Sequence, residues 1–256
     1  MKKRTIIDGG AIRYEIESSL PARGDGPRKR AAKRRATCEA QRLRNRILST
    51  RTLELILAKN FPTAGSGIVA VLTYDDRHLP KSRKEAQLRF KYFLRKLRDE
   101  RRKAGLPEPR VVYVPEALSS ATGRWHHHIV VDATGEDLAM IRRCWIYGRD
   151  IEAEKLRVDE EKNHESLASY MNKELREAQE YECRAGLHGW GCTRSCLRPE
   201  VDTVTVEDSD RLRAPRGATL LQQERRETGG GSFAFVKYRL PARCFRNPGR
   251  GKRRRC

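Results

Sequence analysis

The sequence predicts an α+β fold: an antiparallel β-sheet with helices on one face, close to the split βαβ arrangement, carried between flexible basic tails. Two observations point to it. Apolar residues switch between strand-like and helix-like spacing in the order β, α, β, β, α, β, α across residues 67 to 182. The charge is also divided unevenly. Of a net +21, residues 1–50 hold 14 basic and 5 acidic groups, and residues 239–256 hold 8 basic and no acidic ones. The stretch between them is nearly balanced, as an ordinary folded domain is, and 256 residues leave room for one domain of about 150 with extensions.

Each element has its own local reason. RKRAAKRRA at 28–36 follows PARGDGP, too rich in Pro, Gly and charge to pack, so residues 1–36 read as a basic, disordered arm. Residues 37–62 form a helical segment. From Glu39 to Asn60 good helix formers place Leu43, Ile47, Leu53 and Ile56 along one side, and Asn60, Pro62 and Gly65 end the run. GIVAVLTYDD at 67–76 is apolar and β-branched, the pattern of a buried strand. Between Lys81 and Lys103, Ala86, Phe90, Phe93, Leu94 and Leu97 recur at helical spacing, opposite Arg83, Lys84, Lys91, Arg95 and Arg98. After the GLPEP break come strands at 110–116 and 125–132, joined as a hairpin by LSSATGR. Thr134 and Asp137 suit a capping box for a helix carrying Leu138, Ile141 and Trp145. A strand near 150–158 and a helix over 163–182 complete the pattern. Domain limits follow at 66–206, with an extension over 207–238 and a basic tail over 239–256.

Composition also excludes classes. No apolar run approaches the roughly 18 residues of a membrane span, and Asp8 interrupts what would be a signal peptide's apolar region. Seven cysteines spread over the chain argue against a disulfide framework and for a reducing compartment, so a cytoplasmic protein with no membrane partner is expected. The basic excess points to a polyanion, and Arg28, Lys29, Arg30, Lys33, Arg34 and Arg35 are the densest candidates for phosphate contact. Arg124, beside the histidines, is another.

Chemistry concentrates in RWHHHIVVD at 124–132. On a strand, side chains alternate, so His126 and His128 share one face roughly 6.5 Å apart at Cα while His127 points away. Centring the hairpin near residue 121 sets Glu116 opposite His126, completing a possible set of metal ligands. The helix NHESLASYMNKELREA places Leu167, Met171 and Leu175 on its buried stripe, with Tyr170 off the stripe's centre and Lys173 a turn beyond. A rival metal set, Cys183, His188, Cys192 and Cys196, has the residue types of a structural zinc site, but its spacing is loose and free thiols are the default reading.

Taken together, VLTYDD, GRWHHHIVV and SLASYMNKE follow the motif order of the HUH endonucleases and resemble the rolling-circle replication initiators of phages, plasmids and integrated elements. The basic run leading into a helix before them, and GWGCTRSCLRPEV after them, add to the resemblance, which spans about residues 28–206. It implies a ferredoxin-like nuclease domain over 66–206, with His126, His128 and Glu116 holding Mg²⁺ or Mn²⁺. Tyr170 would be the nucleophile of a single-tyrosine enzyme and Lys173 its cationic helper. The substrate would be DNA, single-stranded or a hairpin origin. A host helicase and polymerase would act as partners, since no Walker motif is present. Two departures stand out: His127 replaces the family's apolar middle residue, and position 174, where a second tyrosine would stand, is glutamate. Tyr181 is a reserve nucleophile. The alternatives are a relaxase of the same superfamily, for which Tyr14 would have to serve as the early tyrosine, and a non-enzymatic basic nucleic-acid-binding protein.

Overall fold

Two five-stranded antiparallel sheets form, one from the middle of the sequence and one from its two ends. The computed structural model describes residues 1–19, 39–116, 124–159, 164–172, 189–228 and 231–241. In chain order the elements are β1 (Lys2–Asp8), β2 (Ile12–Ser19), α1 (Glu39–Asn60), β3 (Gly67–Thr73), α2 (Arg83–Lys103), β4 (Val111–Glu116) and β5 (His126–Asp132). Then follow α3 (Asp137–Cys144), β6 (Ile151–Lys155), α4 (Glu165–Met171), β7 (Gly191–Cys192), β8 (Glu200–Val206), β9 (Thr219–Thr228) and β10 (Gly231–Arg239).

The central unit comprises residues 36–160 and 164–197. Its strand order is β6-β3-β5-β4-β7, with every described pairing antiparallel. The run β3-α2-β4-β5-α3-β6 is therefore a split βαβ pair in which β5 fills the gap between β3 and β4. Helix α2 starts where Ser82 accepts a hydrogen bond from the Glu85 backbone N–H at 3.2 Å, and Glu85 in turn accepts from the Lys81 N–H at 2.8 Å. It stops at Gly105, whose φ of 70° is open to glycine at little cost. Asp137 likewise reaches back to the Thr134 backbone N–H and accepts from its hydroxyl at 2.5 Å, although α3 itself begins only at Asp137.

Both faces of this sheet are covered. Phe90, Phe93 and Leu97 of α2, with Met140 and Ile141 of α3, pack on Leu72, Val111, Ile129 and Val131. These are the two helices of the split βαβ pair, and they share one face as expected. Helices α1 and α4 lie outside that run and take the other face, where Leu53, Ile56, Leu57, Ala168 and Met171 pack on Val112, Val114 and Val130. Only the C-terminal half of α1 is buried; Leu43 and Ile47, expected on the same apolar side, are exposed. Beneath the opposite face, the fully buried Arg101 donates to Asp132 at 2.8 Å and to Asp137 at 2.7 Å, tying the end of α2 to the end of β5 and the start of α3.

The second unit comprises residues 1–35, 161–163 and 198–256, with strand order β8-β1-β2-β10-β9. It corrects the sequence reading in three places. Residues 2–19, assigned by their charge to a disordered arm, form a hairpin instead, because alternate residues such as Ile12 and Tyr14 are buried while the cations project outward. Residues 200–206, counted with the nuclease domain, pair with β1. The extension over 207–238 supplies β9 and nearly all of β10. Within this unit Arg4 bonds Glu17 at 2.8 Å, and the Tyr14 and Phe235 rings meet edge to face at 5.5 Å. The basic run at 28–36 and the tail from 242 onward lie outside the described residues.

Candidate metal centre

The hairpin register places the three donors side by side. Glu116 stands opposite His126, and Val114 opposite His128, so the carboxylate and both imidazoles project from the same face at one end of the sheet. His126 Nε2 lies 3.1 Å from His128 Nε2, and Glu116 Oε2 lies 2.7 Å from His128 Nε2 and 3.6 Å from His126 Nε2. Among the described residues this is the one cluster of three or more such donors close enough to hold an ion. A divalent cation with bonds of about 2.1 Å keeps adjacent donors about 3 Å apart, which this trio approaches. The donor set, two imidazoles and one carboxylate, suits a divalent ion of intermediate hardness and leaves further positions open. Burial alone would raise the Glu116 carboxyl, but the hydrogen bonds and charge of the two imidazoles outweigh it and hold the carboxyl down at about 2. The site is therefore anionic at neutral pH.

His127 faces the opposite side. It is buried, stacks on Phe90 with ring centroids 4.6 Å apart, and shares a 2.8 Å hydrogen bond between its Nε2 and the Tyr74 hydroxyl. Burial, with the charge of its histidine neighbours, pushes it down to about 3, so it stays neutral. It fills the core where an apolar residue would otherwise sit.

Tyr170 reaches the metal-binding end from α4. Its ring meets the His128 ring edge-on at 5.2 Å and remains half exposed, at 52%. Burial, and next the charges of Glu116 and Glu152, hold its hydroxyl above the ordinary phenol value, so it is protonated at neutral pH. The helix that carries it is short and is held by α1: the His164 Nε2–H donates to the Phe61 carbonyl at 2.8 Å, and Asn172 donates to Thr50 at 2.9 Å. Trp190 adds a 3.0 Å bond to Ser49. Ala168 and Met171 face α1, which leaves Tyr170 turned toward the end of the sheet.

Sequence reading missed Glu152. In β6 it pairs with Val71, which on its other side pairs with His128, so Glu152 lies on the metal-binding face two strands away. Period two in IEAEK was the available signal, but β6 is too short for it to be decisive.

The remaining candidates divide. Arg124 is engaged locally, paired with Asp76 at 2.6 Å and donating to the Tyr74 carbonyl at 3.1 Å. Lys173, Tyr181, Cys183, His188 and the basic residues Arg28, Lys29, Arg30, Lys33, Arg34 and Arg35 lie outside the described residues. Cys192 and Cys196 are free thiols in hydrogen-bond contact, and chiefly for that reason Cys196 is lowered to about 7. No described helix is long and apolar enough to cross a membrane.

Comparison with curated proteins and with solved structures gives no match. A family model does match: residues 68–175, the stretch that contains Glu116, His126, His128, Tyr170 and Lys173, are similar to the replication-associated protein family of the ORF2 type.

Proposed function

We propose that the protein is a rolling-circle replication initiator that nicks and rejoins single-stranded DNA through Tyr170. The observation that carries this reading is the meeting of Tyr170 with the Glu116–His126–His128 trio at one end of the sheet, 5.2 Å between the Tyr170 and His128 rings. The similarity of residues 68–175 to a replication-associated family supports a role in DNA replication.

Two carboxylates beside the hydroxyl oppose its ionisation and would repel a phosphodiester. His126, His128 and Glu116 would hold Mg²⁺ or Mn²⁺, which supplies the positive charge that drains the phosphate and favours the phenolate. The chain's own residues do the rest. Helix α4, locked on α1, holds the Tyr170 oxygen at the mouth of the site, where it attacks phosphorus as the bond to the 3′ oxygen breaks. The products are a 5′-phosphotyrosyl linkage and a free 3′ hydroxyl that primes synthesis; attack by that hydroxyl on the linkage reverses the step and rejoins the strand. Lys173, a turn after Tyr170, is positioned in sequence to steady the phosphate charge.

Incubating the full chain with single-stranded oligonucleotides and Mn²⁺ tests this. A denaturation-resistant protein–DNA adduct that forms with metal and not with chelator is expected. Binding without any adduct would instead indicate a non-enzymatic DNA-binding protein.

A further inference from the structure

The outer side of α2 carries a row of cations that the nicking chemistry does not use. At 100° per residue, Lys84, Leu88, Lys91, Arg95, Arg98 and Arg102 fall within an arc of about 80°. All six are exposed. Lys84, Lys91 and Arg95 have no carboxylate within ion-pair distance among the described residues, whereas Arg102 pairs with Asp99 at 3.1 Å and Arg98 lies 4.0 Å from the same group. The buried side of the helix, Ala86, Phe90, Phe93 and Leu97, packs on the sheet face opposite the one that bears Glu116, His126 and His128. A strand lying in the nuclease centre and a polyanion lying on this row would thus occupy different faces of the sheet.

We infer that this row is a docking surface for the phosphate backbone of duplex DNA, separate from the nicking site. Its length from Lys84 to Arg102 is about 27 Å, which spans about eight base pairs at 3.4 Å each. The surface is convex and regular, and a duplex presents evenly spaced phosphates that such a row can follow. Single-strand binders instead thread the backbone through a groove with rings that stack on bases, and Leu88 is the one apolar side chain in the row, too little for insertion into a lipid surface. The inference leans on the DNA-nicking reading only for the choice of polyanion. In function it would anchor the duplex flanking the site at which the strand is cut.

The test compares two full-length variants that lose the same charge. K91Q/R95Q/R98Q empties the centre of the row, while R211Q/R213Q/R216Q removes three exposed cations from the other unit. Glutamine keeps helix propensity at exposed positions, so α2 should stay folded. Duplex affinity is measured across a salt titration, and adduct yield on a short single-stranded oligonucleotide is measured in parallel. For the α2 variant the slope of log affinity against log salt should fall by about 2 to 3, from three phosphate contacts at about 0.9 each. The control's slope should stay that of the unmodified protein, and adduct yield should hold in both. An unchanged slope in the α2 variant, or equal falls in the two variants, overturns the inference. So does a variant that keeps duplex binding but loses binding to phosphatidylserine vesicles. If the unmodified protein forms no adduct, the nicking reading fails while the salt slopes still decide this one.

Discussion

Three histidines in a row do two different jobs, and the alternation of a strand decides which does which. His126→Ala and His128→Ala each remove a donor and should abolish metal-dependent adduct formation, read as a band resistant to denaturation. His127→Ala should retain metal-dependent nicking but destabilise the fold by about 2 to 4 kcal/mol, read by denaturant unfolding, because it leaves a hole against Phe90 and strips the Tyr74 hydroxyl of a partner. Equal loss of nicking at all three positions would contradict the strand geometry. The pairing of Glu116 with His126 was legible before any coordinates, since a hairpin centred near residue 121 and a period of two leave only one carboxylate in place. Glu152 was not legible, because its place on the site's face depends on which strand β6 pairs with, and nothing local to the sequence specifies that partner.

At the scale of elements, the helices owe their positions to a few buried polar anchors. Arg101 is surrounded by Asp132 and Asp137 with almost no exposure. Arg101→Met would leave two buried carboxylates without their cation and should cost about 3 to 5 kcal/mol of stability, measured by chemical denaturation. His164 anchors α4 on α1, and burial lowers its pKa even though the bond to the Phe61 carbonyl works against that. The folded state therefore resists protonation that an unfolded histidine accepts below about 6.5, so stability should fall as pH drops below that value. Thermal melts of His164→Asn across this range should show a shallower decline than the unmodified protein, with His127, also buried and neutral, supplying the remainder. The spacing of Phe90, Phe93 and Leu97 made α2 legible. An amphipathic stripe does not say which face of a sheet it will meet, and for that reason the packing of α1 and α4 on the second face was not.

For the whole molecule, charge misled where periodicity would have served. Asp8, Gly9 and Gly10 form a hairpin turn between alternating runs that bury Ile12 and Tyr14, yet the cations around them made residues 1–36 read as one arm. Gly10, with φ of 84° and its N–H bonded to Asp8 Oδ1 at 2.7 Å, is the residue that lets the chain reverse. The consequence is practical: deleting residues 1–36 removes two of the five strands of the terminal sheet and cannot isolate the basic run. Replacing Arg28, Lys29, Arg30, Lys33, Arg34 and Arg35 with glutamine does isolate it. That variant should bind DNA more weakly and with a flatter salt dependence, while adduct formation at low salt persists, because such groups act through counterion release. An unchanged salt slope would show that this segment does not touch DNA.

The central claim is that Tyr170 becomes covalently joined to DNA at a metal site built by Glu116, His126 and His128. Protease digestion of the adduct formed with Mn²⁺, followed by mass mapping of the nucleotide-bearing peptide, tests it most directly. The account expects the modification on Tyr170 and no adduct from Tyr170→Phe, whose ring packs against His128 as before but lacks the attacking oxygen. A modification mapped to Tyr181 or any other residue, or an adduct of undiminished yield from the Tyr170→Phe protein, would contradict it.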